Sequence, residues 1–263
     1  MGTISQSGVV WDSITKNGKY EPFELEASRG QITNHSVVSI FGYQTAIPTS
    51  GFIPIWENAT AYSYPSSAIT MTLLSSSSSD AGVSVLINGL DANYLPISET
   101  ITFTAGNYTG VNTTNSYLRI NNMSMTAVPS AGSSNAGTIQ LQNTGKTVTY
   151  AQINVGIGRT QAAIYTVPAT GTFYLKRTQG WTNQVYTSGN YGTYRTWTVN
   201  AAGVNSLVTQ RPFVANFVSE RWYPNVYGPK TDIQWQMSAT GAAFATGFAA
   251  EGILITSDTA TSF

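Results

Sequence analysis

Apolar and polar positions alternate along this chain with a period of two, and helical periodicity is nearly absent. The clearest run is VLINGLDANYLPISETITF, residues 85–103. Val83, Val85 and Ile87 share one face before it turns, and Ile97, Glu99, Ile101 and Phe103 share one face after it. Asn88–Gly89 supplies turn chemistry and Pro96 stops pairing, so the stretch is predicted to be a hairpin. The same pattern predicts strands near 36–47, 51–56, 68–75, 82–89, 97–104, 117–126, 137–141, 147–155, 161–167 and 171–178. It predicts further strands near 192–199, 206–209, 213–218, 231–238 and 248–256. Only FELEASRGQ (23–31) fits a helical turn, since the Ala-rich GAAFATGFAAEG (241–252) is interrupted by Gly241, Gly247 and Gly252.

Short strands joined by turns imply an all-β protein of antiparallel β-sandwich or jelly-roll units with very little helix. Two polar stretches divide it. SSSSSDAG (75–82) is a loop with strand patterns on both sides, whereas VPSAGSSNAG (128–137) suits a boundary or a long crossover. The expected layout is an N-terminal arm at 1–35, a β-sandwich domain at 36–140 and a second at 141–263, divided somewhere within 128–158. No repeat of about 20–50 residues is visible, which argues against solenoids and propellers.

Composition strengthens the β reading. Charged residues make up 9% of the 263, against about a quarter in an ordinary domain. Surface polarity falls instead to 36 Thr, 28 Ser and many Asn and Gly, and Thr and Tyr suit a half-exposed sheet. Twelve basic and twelve acidic residues cancel, with no Lys/Arg cluster to attract nucleic acid. Neutrality favours association with copies of itself. With no cysteine there is no disulfide framework and no thiolate metal site. The opening MGTISQSGVVWDSITKNGKY lacks the basic and apolar regions of a secretion signal, and Gln6 occupies the Ser/Thr position of a myristoylation motif. No apolar run approaches the ~18 residues of a membrane helix. Phe263 ends the chain as in outer-membrane barrels, but the leader and the regular strands of about ten residues are missing. The expectation is a soluble chain made in a cytoplasm, with no membrane partner.

Candidate chemistry is sparse. Asp91 and Asn93 begin like a calcium loop, yet Pro96 stands at the glycine position and Thr102 at the bidentate glutamate position. His35 is the only histidine, its neighbour Ser36 sits in no G-x-S-x-G elbow, and one histidine cannot build a histidine-rich metal site. The carboxylate pairs Glu24/Glu26, Asp80/Asp91 and Glu220/Asp232 have no supporting motif for glycoside hydrolysis. GIGRT (156–160) lacks the third glycine of a dinucleotide loop, Gln161 standing there instead. The sequons at Asn34, Asn58, Asn107, Asn112 and Asn122 arise readily in an Asn/Thr-rich chain. No catalytic residue, metal or cofactor is expected, and the chain reads as non-enzymatic.

Two features remain. Glu99 falls on an apolar face, where an unpaired carboxylate is costly, and Arg119 in SYLRINN (116–122) offers a partner; a buried structural Glu99–Arg119 pair is expected. GWTNQVYTSGNYGTYRTW (180–197) gathers Trp181, Tyr186, Tyr191, Tyr194 and Trp197, and RWYPNVYGP (221–229) adds Trp222, Tyr223 and Tyr227. Such rings pack inside the fold or in subunit contacts, or else stack on sugar rings.

VSVLINGLDANYLPISETITFTAG (83–106), followed by TTNSYLRINNMSM (113–125), resembles a recurrent segment of structural proteins of tailed bacteriophages, especially those of marine and cyanobacterial hosts. AAIYTVPATGTFYL (162–175) and TDIQWQMSATG (231–241) are similar to the other half of these proteins, so the resemblance spans roughly residues 55–255. The aromatic stretch at 180–197 has no counterpart in it. The resemblance implies a virion component, a capsid decoration or head fibre or else a tail, neck or baseplate piece, and brings no catalytic residues. Its implied partners are copies of itself, as trimers or higher, and other virion proteins. A virion adhesin touching host surface glycan is the alternative, and a depolymerase is a more distant one.

Overall fold

Among the described residues the alternating segments pair antiparallel, giving 56% strand and 4% helix. The computed structural model describes residues 4–6, 9–11, 18–20, 22–58, 60–129, 132–183 and 189–256, the first three of these segments in backbone only. Those three are β1 (Ile4–Gln6), β2 (Val9–Trp11) and β3 (Gly18–Tyr20), which make a small sheet of their own. Next comes α1 (Phe23–Ser28), one short helical piece where FELEAS suggested it, lying against β4 (His35–Ile47). Phe23 meets His35 edge-on at 5.7 Å.

After β4 and β5 (Ile53–Pro54) the chain leaves this region and builds a separate sandwich. Its strands are β6 (Met71–Ser75), β7 (Ser84–Leu90), β8 (Pro96–Thr102), β9 (Val111–Asn112), β10 (Arg119–Ala127), β11 (Ile139–Asn143) and β12 (Thr149–Ile153). They form sheets β10-β7-β8 and β12-β11-β6-β9 around a core that includes Met71, Leu73, Val85, Ile87, Tyr117 and Ile153. The opening hairpin is present, but its turn is Asp91–Leu95. The Asp91 carboxylate accepts the N–H groups of Asn93 and Leu95, both at 2.8 Å, and Tyr94 takes a φ of 63°. Asn88 and Gly89 lie inside β7, and Pro96 opens β8 opposite Leu90.

Both polar stretches belong to this sandwich. Asp80 is fully buried and ties them together, accepting Ser75 Oγ at 2.5 Å and the N–H groups of Ala136 and Gly137 at 2.6 and 3.0 Å. The 128–137 stretch is therefore a crossover between β10 and β11.

The chain then returns through β13 (Ile164–Thr166), β14 (Gly171–Thr182), β15 (Tyr191–Val199), β16 (Asn205–Phe213), β17 (Phe217–Tyr227), β18 (Asp232–Thr240) and β19 (Phe244–Thr256). One sheet runs β17-β14-β19-β4. The other runs β13-β18-β15-β16, with β5 also paired to β18. Because β5 faces Gln236 and Met237 while β13 faces Gln234, Ile233 and Asp232, the two are halves of one split strand. Counting the split strand once, the sheets read 1-8-3-6 and 2-7-4-5, the order of an eight-stranded jelly roll. Its core holds Ile47, Ile55, Phe173, Leu175, Tyr194, Trp235 and Phe248.

The domain layout thus differs from the serial one. The sandwich of β6–β12 is inserted into the second strand of the jelly roll, and β4 and β5 belong with the C-terminal half. At the neck the outgoing and returning chains lie side by side: Ala163 N–H donates to Ile55 O at 2.8 Å, and Ile55 N–H to Trp235 O at 3.0 Å. Gly42 lies against this neck, where a Cβ would come within 2.6 Å of Ala163 Cβ and Ile55 O.

Candidate functional site

Arg119, at the start of β10, reaches across to the jelly roll. Its Nε and Nη2 grip the two carboxylate oxygens of Asp232 on β18 at 2.8 and 2.9 Å. Nη1 donates to the carbonyls of Pro65 and Leu118, and the guanidinium lies 4.4 Å from the Tyr64 ring centre. Thr166 Oγ1 donates to Asp232 at 2.6 Å. The expected Glu99–Arg119 pair is replaced by this one. Glu99 is half-buried on its apolar face and accepts the N–H groups of Thr114 and Asn115 at 2.9 and 3.3 Å, which satisfies it locally. Asn121 strengthens the same junction, exchanging hydrogen bonds with the backbone of Thr166. The Arg119 site is a clasp between the two units.

Nearby, Glu57 lies on the outgoing linker. Its Oε1 accepts Gln161 N–H at 2.8 Å, while Oε2 is sealed from solvent without a hydrogen bond. Burial pushes its carboxyl up to about 8.

The aromatic residues do not form one platform. Tyr194 and Tyr227 are core residues, stacked on Phe217 and Phe173. Trp181 stacks on Phe41 at 5.6 Å, and Trp197 is covered by the Arg195 guanidinium 4.8 Å away. Tyr191 is part-exposed at the start of β15. Tyr186 lies outside the described residues. Trp222 and Tyr223 differ sharply, at 99% and 90% exposed.

Their exposure comes from a break in the sheet. On β14 the inward positions run Gly171, Phe173, Leu175 and then slip to Thr178 and Gly180. Lys176 is the unmatched residue opposite β19, where Leu175 faces Gly252 and Arg177 faces Glu251. A bulge of this kind re-aims side chains, and here both cations point to the outer face. On the other side Leu175 faces Asn225 and Arg177 faces Glu220, so Arg221, Trp222, Tyr223 and Pro224 loop out of β17.

The result is a cleft of about 700 Å³ on the outer face of the 1-8-3-6 sheet. Val37, Gly252 and Ile253 are among the residues that line it, α1 borders it on one side and Arg221–Trp222 on the other. Six charged side chains meet there, three of each sign. Lys176 pairs with Glu24 and holds its carboxyl below the usual range by hydrogen bonding. Arg177 sits 3.6 Å from Glu220 and 3.9 Å from Glu251. Of the carboxylates considered for hydrolysis, Glu24 and Glu220 lie here, Glu26 is buried in α1, and Asp80, Asp91 and Asp232 serve the loops and the clasp. Sequence reasoning missed Lys176, Arg177, Arg221 and Glu251; the one available signal was the slip in alternation at LKR.

A second feature flanks the cleft. β16 and β17 are the edge strands of their sheets. Of the sixteen large apolar residues exposed among the described residues, eight lie in 204–226, including Leu207, Val208, Val218 and Val226.

No protein-family model and no curated protein matches the sequence. Among solved structures, the chain is similar to that of the Gx strain of infectious bursal disease virus, at 11% identity over 86% of this chain and 72% of that one, with a TM-score of 0.24. It is also similar to the VP2 subviral particle of the same virus, at 10% identity over 86% and 72%, with a TM-score of 0.22. The T=1 particles derived from that virus give 9% identity over 84% and 73%, with a TM-score of 0.20. Similarity this weak carries no argument about what the chain does.

Proposed function

We propose that this chain is a non-enzymatic structural protein of a virion that works by associating with copies of itself, as a trimer or higher. The reading places it in a tailed bacteriophage, as a capsid decoration or head fibre ahead of a tail, neck or baseplate piece, assembled in the host cytoplasm. The observation that carries self-association is the exposed apolar edge of β16 and β17. A long, apolar edge strand is a template for pairing unless something covers it. Tyr223 offers roughly 150 Å² or more, and the six half-exposed Val and Leu residues from 204 to 226 add about 200–350 Å² of apolar surface. A standard interface needs about 800 Å² per partner, a little over half of it apolar, so this edge is of the size a second copy would cover. The resemblance of 83–125 and 162–241 to phage structural proteins supports the virion setting, and the small β1–β3 sheet suits an arm that docks on a neighbour. Light scattering on the full chain tests the reading. The wild type runs as an oligomer whose melting midpoint rises with concentration, and Leu207→Lys with Val208→Lys runs as a monomer that keeps the β-sheet circular dichroism of the wild type. A wild type that stays monomeric at high concentration defeats it.

A further inference from the structure

We infer that the cleft over the β14 bulge is a binding site for a neutral saccharide. This goes beyond the assembly reading and rests on different residues. The volume of about 700 Å³ lies within the range of small-ligand sites and admits a short oligosaccharide. Its charges specify the class. Lys176, Arg177 and Arg221 face Glu24, Glu220 and Glu251, so the site sums to zero and offers no net pull to an anion or a cation. What it offers is a dense alternation of donors and acceptors in a chain that is otherwise poor in charge.

The Arg177 contacts at 3.6 and 3.9 Å are longer than hydrogen bonds, which leaves guanidinium N–H groups and carboxylate lone pairs unfilled. Arg177 Nε and Arg221 Nη1 are buried without hydrogen-bond partners, a costly state that a ligand hydroxyl relieves with modest side-chain movement. Planar guanidinium and carboxylate groups match pairs of adjacent hydroxyls bidentately. Beside them stands Trp222, a residue 99% exposed, whereas Trp181 and Trp197 are covered by Phe41 and Arg195. An indole free on its face stacks on the C–H face of a sugar ring. With three cations matched by three carboxylates, an acidic sugar gains no electrostatic advantage over a neutral one.

The test uses the full chain on an array of neutral and acidic oligosaccharides, followed by calorimetry with the neutral sugar retained. One site per chain is expected, little changed by added salt. Trp222→Ala and Glu251→Gln each weaken binding by about tenfold or more, while Tyr223→Ala leaves it intact. Melting midpoints of Trp222→Ala and Glu251→Gln stay at the wild-type value. Failure to retain any neutral sugar, retention of acidic sugars alone, or binding that survives both Trp222→Ala and Glu251→Gln overturns the inference. The mass by light scattering is independent of all three outcomes, so the sugar site can fail while the assembly reading stands.

Discussion

Asp232→Asn tests the clasp between the two units directly. Arg119 and Asp232 are 8% and 6% exposed and joined by two short bonds, so neither charge has water to fall back on. An asparagine keeps an acceptor for Thr166 but removes the charge and leaves a buried guanidinium with the carbonyls of Pro65 and Leu118. Breaking a buried pair from one side costs about 3–5 kcal/mol. The Tyr64 ring under the guanidinium offsets part of this, since a desolvated cation–π contact is worth up to about 2 kcal/mol. The expected loss is therefore about 3 kcal/mol, roughly a hundredfold in the folding equilibrium. Arg119→Met should cost a similar amount by orphaning Asp232. The double variant Arg119→Met with Asp232→Leu should return to within about 1 kcal/mol of wild type, because no buried charge remains. Urea unfolding followed by tryptophan fluorescence reads all three, since Trp56 and Trp235 are fully buried near the neck. A loss below about 1 kcal/mol for Asp232→Asn at unchanged m, or a double variant as costly as the two singles summed, refutes the clasp.

Glu57 gives a pH signature. Its carboxyl is raised from 4.5 to about 8, so the folded protein holds the proton more tightly than the unfolded chain. The group therefore stabilises fully at low pH and loses that stability as pH rises from about 4.5 through 8, at up to about 1.4 kcal/mol per unit. Glu57→Gln should melt with wild type at pH near 5 and above it at pH near 9; parallel melting profiles would contradict the assignment. Asp80→Ala orphans the buried N–H groups of Ala136 and Gly137 and should cost about 3 kcal/mol in thermal unfolding, with Asp80→Asn costing less; equal losses would argue against the carboxylate as the tie.

The strands were legible in the sequence because an inward and an outward face leave a period of two, and β4, β7, β8, β10, β15 and β18 fall where that period put them. Where both faces are wet the signal fades. β16 is exposed along nearly all of its length, and the alternation predicted 206–209 and a separate strand from 213 where one strand over 205–213 is observed. Alternation also says nothing about which strand pairs with which. The 36–47 segment reads like its sequence neighbours, yet its partner is β19 at the far end of the chain, so the division into units was misplaced. The partner of Arg119 failed for the same reason: Asp232 is 113 positions away, while Glu99 was merely the nearest carboxylate in the pattern. The cleft was hidden because it arises from a one-residue slip in β14 and a loop-out in β17, neither of which adds a motif.

The split second strand also sets a timetable. Every strand of the inserted sandwich lies between Met71 and Ile153, so that unit has all its partners well before synthesis ends. The surrounding jelly roll must wait. Among the described residues the ladder partner of β4 is β19, and the Thr256 N–H that closes the pairing reaches back to Asn34, 222 positions earlier. Such distant pairing is slow, and an unpaired strand edge is open to aggregation in the meantime. The first strand of the jelly roll to leave the ribosome is the last to find its neighbour.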